Sequence, residues 1–458
     1  MIQLLRDAHG LPVTGSVSSV ETLDTAVVDY CSWRGTPAQA LREAASADPD
    51  FSLGNSAAAT MLVLGGNPGN SAEVTAAITD AESTAQQASV RERMHLEAAK
   101  ALSAGLMYQA TDIWESILLD DPRDALASRF AQEAYLYLGE SQRIRDSVAR
   151  TLPYWSASDA FYGRILGQYA FGLEEAGDLR RAEEMARRAI ALDHEDGWAV
   201  HALAHVMEDE CRHEEGIEFL KTAQPGWSKS HNLAVHNGWH LALYLIESGR
   251  FAEALAGYDK FVQPLVAAND LLAMIDGTAM LWRLELAGAS VGDRWAELSR
   301  QWMARVDDHV LAFNDLHLAL SVARGGNAGD LTRVRDSLDR FERDGSGDNK
   351  DVTVSVGRRI IDGALAFSAG EYDAALDDLL PVRYRVIRIG ASHAQRDILA
   401  QTLIVAAERA GRTKLWRSLL NERRALRSTP LTDAYVRRMS NALTAGHAVG
   451  VASAGTRA

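Results

Sequence analysis

Ala98-Ala-Lys-Ala-Leu-Ser-Ala-Gly105-Leu-Met-Tyr-Gln-Ala110-Thr-Asp-Ile-Trp114-Glu-Ser-Ile117-Leu-Leu-Asp-Asp-Pro122 is the stretch that decides the fold. A glycine stands five positions before Ala110, and another small residue, Ala98, stands twelve before it. Small residues let two helices approach closely, and a bulky residue such as Trp114 fills the groove between them. The same spacing recurs at Ala170, Gly177 and Ala182, at Ala242, Gly249 and Ala254, and at Gly363, Gly370 and Ala375. Downstream positions follow suit: Ala186 and Ala189, Tyr258 and Phe261, Leu379 and Val382. Each copy reads as one helical hairpin, and repetition at a fixed period is the mark of a stacked array.

Gly105 to Gly139 is 34 residues, as is Gly177 to Cys211, so units lacking a full signature fit between the clear ones. The expected fold is all-α, an α-solenoid of degenerate tetratricopeptide-like helical hairpins that forms a superhelix with a polar concave centre. Runs of alternating β-branched residues are nearly absent, so nothing predicts a sheet. Residues 1–446 form a single solenoid in this reading, with 1–20 an irregular N-terminal segment and 447–458 a flexible tail. The glycine-rich segments 325–330 and 344–350 read as connections between hairpins.

A formal charge of −15 and a pI near 5.4 argue against a phosphate-backbone binder, and nucleic acid is excluded as a partner on that ground. No signal peptide or membrane-spanning run is evident, so the chain is expected to be soluble, cytoplasmic and free of membrane. Two cysteines, Cys31 and Cys211, cannot build a disulfide framework. No G-x-S-x-G elbow, Walker loop or dinucleotide glycine fingerprint occurs.

His201 with His205, and His236 with His240, are two i, i+4 pairs, so each pair lies on one helix face. Counted back from Cys211, which stands where a turn glycine belongs, His201, His205 and Glu208 sit at ten, six and three residues. Those offsets fall on the inward stripe of a first helix. His236 extends the same stripe by a further turn before Gly249, with Trp239 beside His240.

The runs His201-Ala-Leu-Ala-His-Val-Met-Glu208, His236-Asn-Gly-Trp-His-Leu-Ala-Leu-Tyr244, Leu281-Trp-Arg-Leu-Glu-Leu-Ala-Gly288, Phe313-Asn-Asp-Leu-His317 and Ser392-His-Ala-Gln-Arg-Asp397 resemble the tetratricopeptide repeat protein 38 family. The resemblance spans roughly residues 40–426 and implies an α-helical superhelix. It brings no reaction with it.

Imidazole nitrogen suits zinc and similar divalent metals, and two adjacent helices with paired histidines offer four nitrogens, from His201, His205, His236 and His240. Glu208, Asp276 and His317 are candidates to complete the coordination or to act as general base. The competing reading is structural, with these histidines bonded to carboxylates that hold neighbouring hairpins in register. Without metal, His201, His205, His236, His240 and Glu208 form a candidate acid–base set. Trp239, Asp276, Arg283, His317, His393, Gln395, Arg396 and Asp397 are candidate ligand contacts, Gln395 and Arg396 for an anionic group. A helix cap with an Arg–carboxylate pair is the alternative for that last segment. Function is therefore expected to be binding of a partner segment, peptide or small molecule in a His/Glu/Asp-lined pocket, with a metal-dependent or acid–base enzyme as the alternative.

Overall fold

The computed structural model describes residues 4–441, so the expected tail at 447–458 lies outside the described residues. The chain is a tetratricopeptide-like α-solenoid. Helices Val90–Ser103 and Met107–Asp120 pair as a hairpin, as do Tyr162–Glu175 with Leu179–Leu192, and Gly197–Asp209 with His213–Trp227. Ala98, Ala110, Ala170, Ala182, Ala254, Ala375 and Trp114 are all fully buried where paired helices meet.

The turns at Gly105, Gly139, Gly177, Gly249 and Gly370 close in the same way. At Gly105, with φ +77°, the Gly105 amide donates to Leu102 and the next amide reaches back to Ala101. Two orphan carbonyls of the helix end are thereby satisfied, at a backbone angle that glycine adopts without strain. Cys211 makes the identical clasp to Glu208 and Met207 at φ +58°. The missing glycine therefore leaves the hairpin intact, at the cost of a left-handed residue with a side chain.

Residues 4–20 carry regular structure where an irregular segment is expected. Leu5–Arg6 and Pro12–Val13 pair as a short antiparallel ladder, and the first long helix, Val17–Ser32, starts on the Ser16 cap. Strands of two residues are too short for alternation to register, and this ladder is held from outside. Arg91 donates to the Pro12 carbonyl at 2.9 Å, and Thr14 donates to Glu92.

The solenoid closes on itself. The Asp348 amide bonds the Gly105 carbonyl at 2.9 Å, and the His231 amide bonds the Trp33 carbonyl at 2.8 Å. Gly139 lies so close to the Ile387 carbonyl that an added Cβ would stand 2.0 Å from it. Helix His393–Arg409 packs on Leu271–Ala287 and is buried on most of its circumference, including Gln395, Arg396, Gln401 and Thr402. The hollow expected along the concave face is consequently narrowed to an enclosed centre. Among the described residues, no helix is long and apolar enough to cross a membrane.

Candidate functional site

His201 and His205 project from helix Gly197–Asp209, which is capped by Asp196 accepting the Trp198 and Ala199 amides. His236 and His240 project from the neighbouring helix His231–Glu247. One nitrogen from each of the four rings lies within 4.8 Å of the others. The Nε2 atoms of His201 and His205 are 3.0 Å apart, and the His205 and His240 ring centres are 4.4 Å apart. All four side chains are buried.

Behind the rings stand three carboxylates from three helices. His236 Nδ1 is 2.8 Å from Asp276, on helix Leu271–Ala287. His240 Nδ1 is 3.4 Å from Glu208, and His205 Nδ1 is 3.5 Å from Glu174, at the end of helix Tyr162–Glu175. His201 Nδ1 has no partner. Of the three, the Asp276 contact is a hydrogen bond and leaves His236 Nε2 free for the group, while Glu208 and Glu174 stand at ion-pair distance. A tetrahedral zinc with bonds of about 2.0–2.1 Å spans nitrogens roughly 3.3 Å apart, close to the spacing of the nearest pair. The group could hold a divalent metal.

Burial, together with the charges of the other three histidines, pushes His201 far below the ordinary imidazole range. Burial and then His205 bring His240 down to about 3. Burial likewise lowers His205. These rings are neutral at neutral pH, so each carries one nitrogen lone pair. The acids diverge. Burial pushes Glu174 far up, helped by Glu175 and Asp209. Burial acts on Glu208 as well, but the Arg427 guanidinium at 2.8 Å and His240 outweigh it and hold the carboxyl low.

The three residues expected to complete the coordination stand elsewhere. Glu208 and Asp276 face the Nδ1 side of their histidines, so they support the rings rather than pointing between them. His317 gives its Nδ1 to the Phe313 carbonyl at 2.7 Å and is not brought into the four-histidine group. Trp239 is fully buried, stacked on His236 at 5.0 Å. Arg283 donates to the carbonyls of Ala279, Ala394 and Gln395, so it ties helix His393–Arg409 in place. Gln395 closes a capping box with Ser392, Arg396 bonds the carbonyls of Gly390 and Ala391, and Asp397 is taken by Arg423 and Gln401. His393 stands 3.4 Å from Glu175.

His201 and His236 reach a cavity with about 1220 Å³ of empty space, its mouth included. Phe171, Trp198, Leu271, Ile275 and Phe313 supply apolar wall, and Arg129, Gln132 and Gln395 supply polar edge. Sequence reasoning passed over Glu174 and Arg129, although both carry a signal. Glu174 sits three before Gly177, as Glu208 does before Cys211, and Arg129 and Glu133 sit ten and six before Gly139, the register of His201 and His205. Arg427 lies outside the hairpin signatures and gave none.

A second polar line has the look of a nucleophile relay, with Ser337 Oγ 2.9 Å from His309 Nε2 and His309 Nδ1 3.1 Å from Asp315. Ser337 is buried, and its hydroxyl donates to Asp307. The line is a clasp between helices.

No family model matches the chain. Among solved structures, the chain is similar to a human IFIT1 dimer with m7Gppp-AAAA, at a TM-score of 0.38 and 15% identity over 86% of this chain and 90% of that one. It is also similar to a monomeric IFIT1 mutant with Gppp-AAAA, at a TM-score of 0.35 and 15% identity over 81% and 86%. The resemblance to the tetratricopeptide repeat protein 38 family accordingly narrows to a general tetratricopeptide-like helical repeat. The exclusion of nucleic acid is corrected, because both of these structures hold a cap-type oligonucleotide. Net charge averages over a whole surface and does not describe a local pocket. At this similarity the likeness assigns no ligand to this chain.

Proposed function

We propose that the protein binds a small ligand in the central pocket, against a zinc-type divalent ion held by His201, His205, His236 and His240. The observation that carries the reading is the set of carboxylates Glu174, Glu208 and Asp276 facing Nδ1 of three of those rings. Carboxylates behind imidazoles fix the tautomer and strengthen the nitrogen that faces a metal. Neither buried oxygen of Glu174 has a hydrogen-bond partner and burial favours its protonated form, so it backs His205 as a carboxylate only when a nearby cation ionises it. Enclosure of the centre favours a small molecule over a partner segment or peptide.

Metal analysis of the purified protein after zinc loading tests the reading. One equivalent is expected in the unaltered chain and none in a His201→Ala, His236→Ala double variant whose circular dichroism is unchanged. A loaded protein without bound metal would refute the centre. The enzymatic alternative has one observation in its favour: His201 lacks a carboxylate and lines the cavity. If the single His201→Ala variant keeps its metal, the other three rings suffice and a coordination position faces the pocket, as catalysis by a bound water requires. If the single variant loses it, the site is a closed four-nitrogen one.

A further inference from the structure

The pocket has a cation of its own. Arg129 lines the cavity together with His201 and His236, yet it is 2% exposed. Its guanidinium carbon lies 4.3 Å from the Trp198 ring and 5.6 Å from Trp33, and those two indoles are within 15° of parallel. The two indoles keep the guanidinium away from water, which strengthens whatever it binds.

Its own partners leave it incomplete. The hydrogen bond to Gln132 is 3.5 Å long, Nε has no acceptor, and the nearest carboxylate, Glu133, is 3.6 Å away. Glu133 already accepts from the Tyr30 hydroxyl at 2.7 Å and the Tyr137 hydroxyl at 3.2 Å. A guanidinium carries five donors arranged to meet a planar carboxylate side-on. Here Nε meets no acceptor, and the contacts of the other two nitrogens with Gln132 and Glu133 are long. Among the residues lining the cavity Arg129 is the sole Lys or Arg, while Glu133 and Asp270 repel any ligand of higher negative charge. The rest of the wall is mainly apolar, Phe171, Leu271, Ile275 and Phe313 among it, with neutral polar groups such as Gln132, Asn232 and Asn314 between them.

We infer that the ligand class is a small amphipathic monocarboxylate, its carboxylate seated on Arg129 and its apolar body lying along that wall. The inference rests on the pocket being the ligand site proposed above, and it does not require the metal. One guanidinium matches one negative charge, and the buried apolar area supplies the remaining affinity.

Calorimetric titration of the full chain with octanoate and with its neutral counterpart octanamide tests this. Octanoate is expected to bind roughly tenfold more tightly or better, the size of one charge-assisted hydrogen-bond pair. Arg129→Gln should bring the two probes to equal affinity with metal content unchanged. If that variant does not fold, the comparison on the unaltered protein still decides. Equal binding of the two probes there overturns the carboxylate assignment while leaving a ligand pocket. Binding of neither overturns both the assignment and the pocket. Octanoate binding to a metal-free protein sustains this inference and sinks only the metal centre.

Discussion

Asp276 stands behind His236 rather than beside it, 2.8 Å from Nδ1. Sequence spacing placed Asp276 in the neighbourhood of the histidines but not on which side of the ring, because helix periodicity sets a face and not a rotamer. If His236 binds metal, Asp276→Ala should weaken the ion by roughly 10–100-fold, the usual effect of removing a carboxylate behind a ligating imidazole. Competition with a chromogenic chelator measures it, and an unaltered affinity would take His236 out of the coordination set. At Cys31, burial pushes the thiol up to about 11, which keeps it protonated at neutral pH. Glu174 was legible in principle, by its shared offset from the turn. Its role was not, since its neighbour His205 comes from a different helix.

Hairpins were the most legible feature of the chain. Glycine and alanine at fixed separations record where backbones touch, and such contacts leave few residue choices. The turn at Cys211 is the informative exception. A side chain at φ +58° costs about 1–2 kcal/mol relative to glycine. Cys211→Gly is therefore expected to stabilise the protein by about 1 kcal/mol, read as a higher denaturation midpoint with an unchanged slope. A lower midpoint would mean that the thiol makes contacts worth more than the strain. Helix His393–Arg409 was harder to read. It is buried on nearly every side, so its apolar and polar residues follow no stripe.

Closure of the whole molecule depends on polar clasps between distant segments. Arg427 reaches Glu208 and Asp209, and the His393 amide and ring reach Glu175. The hydrogen bond to Glu175 overcomes burial and raises His393 to about 9. Burial would raise Glu175, but His393 and Arg396 together bring it down to about 2. The linkage signs are opposite. His393 contributes stability that is complete below its unfolded value near 6.5 and is lost as pH rises through 9. Glu175 contributes above its unfolded value near 4.5 and loses it as pH falls through 2. Stability is thus expected to be greatest between those limits, with an alkaline decline that His393→Gln removes. Denaturant titrations from neutral pH to beyond 9 check this, and an identical decline in the variant would assign it to another group.

Local interactions within a few turns determined the hairpins, their helix faces and the pairing of histidines four apart, because each follows from backbone geometry that neighbouring residues share. Tertiary structure decided the rest. Which carboxylate meets which imidazole, how Arg427 secures Glu208, and why Arg129 faces the same cavity as His201 all depend on how the superhelix closes. That closure brings together atoms that no spacing along the chain relates.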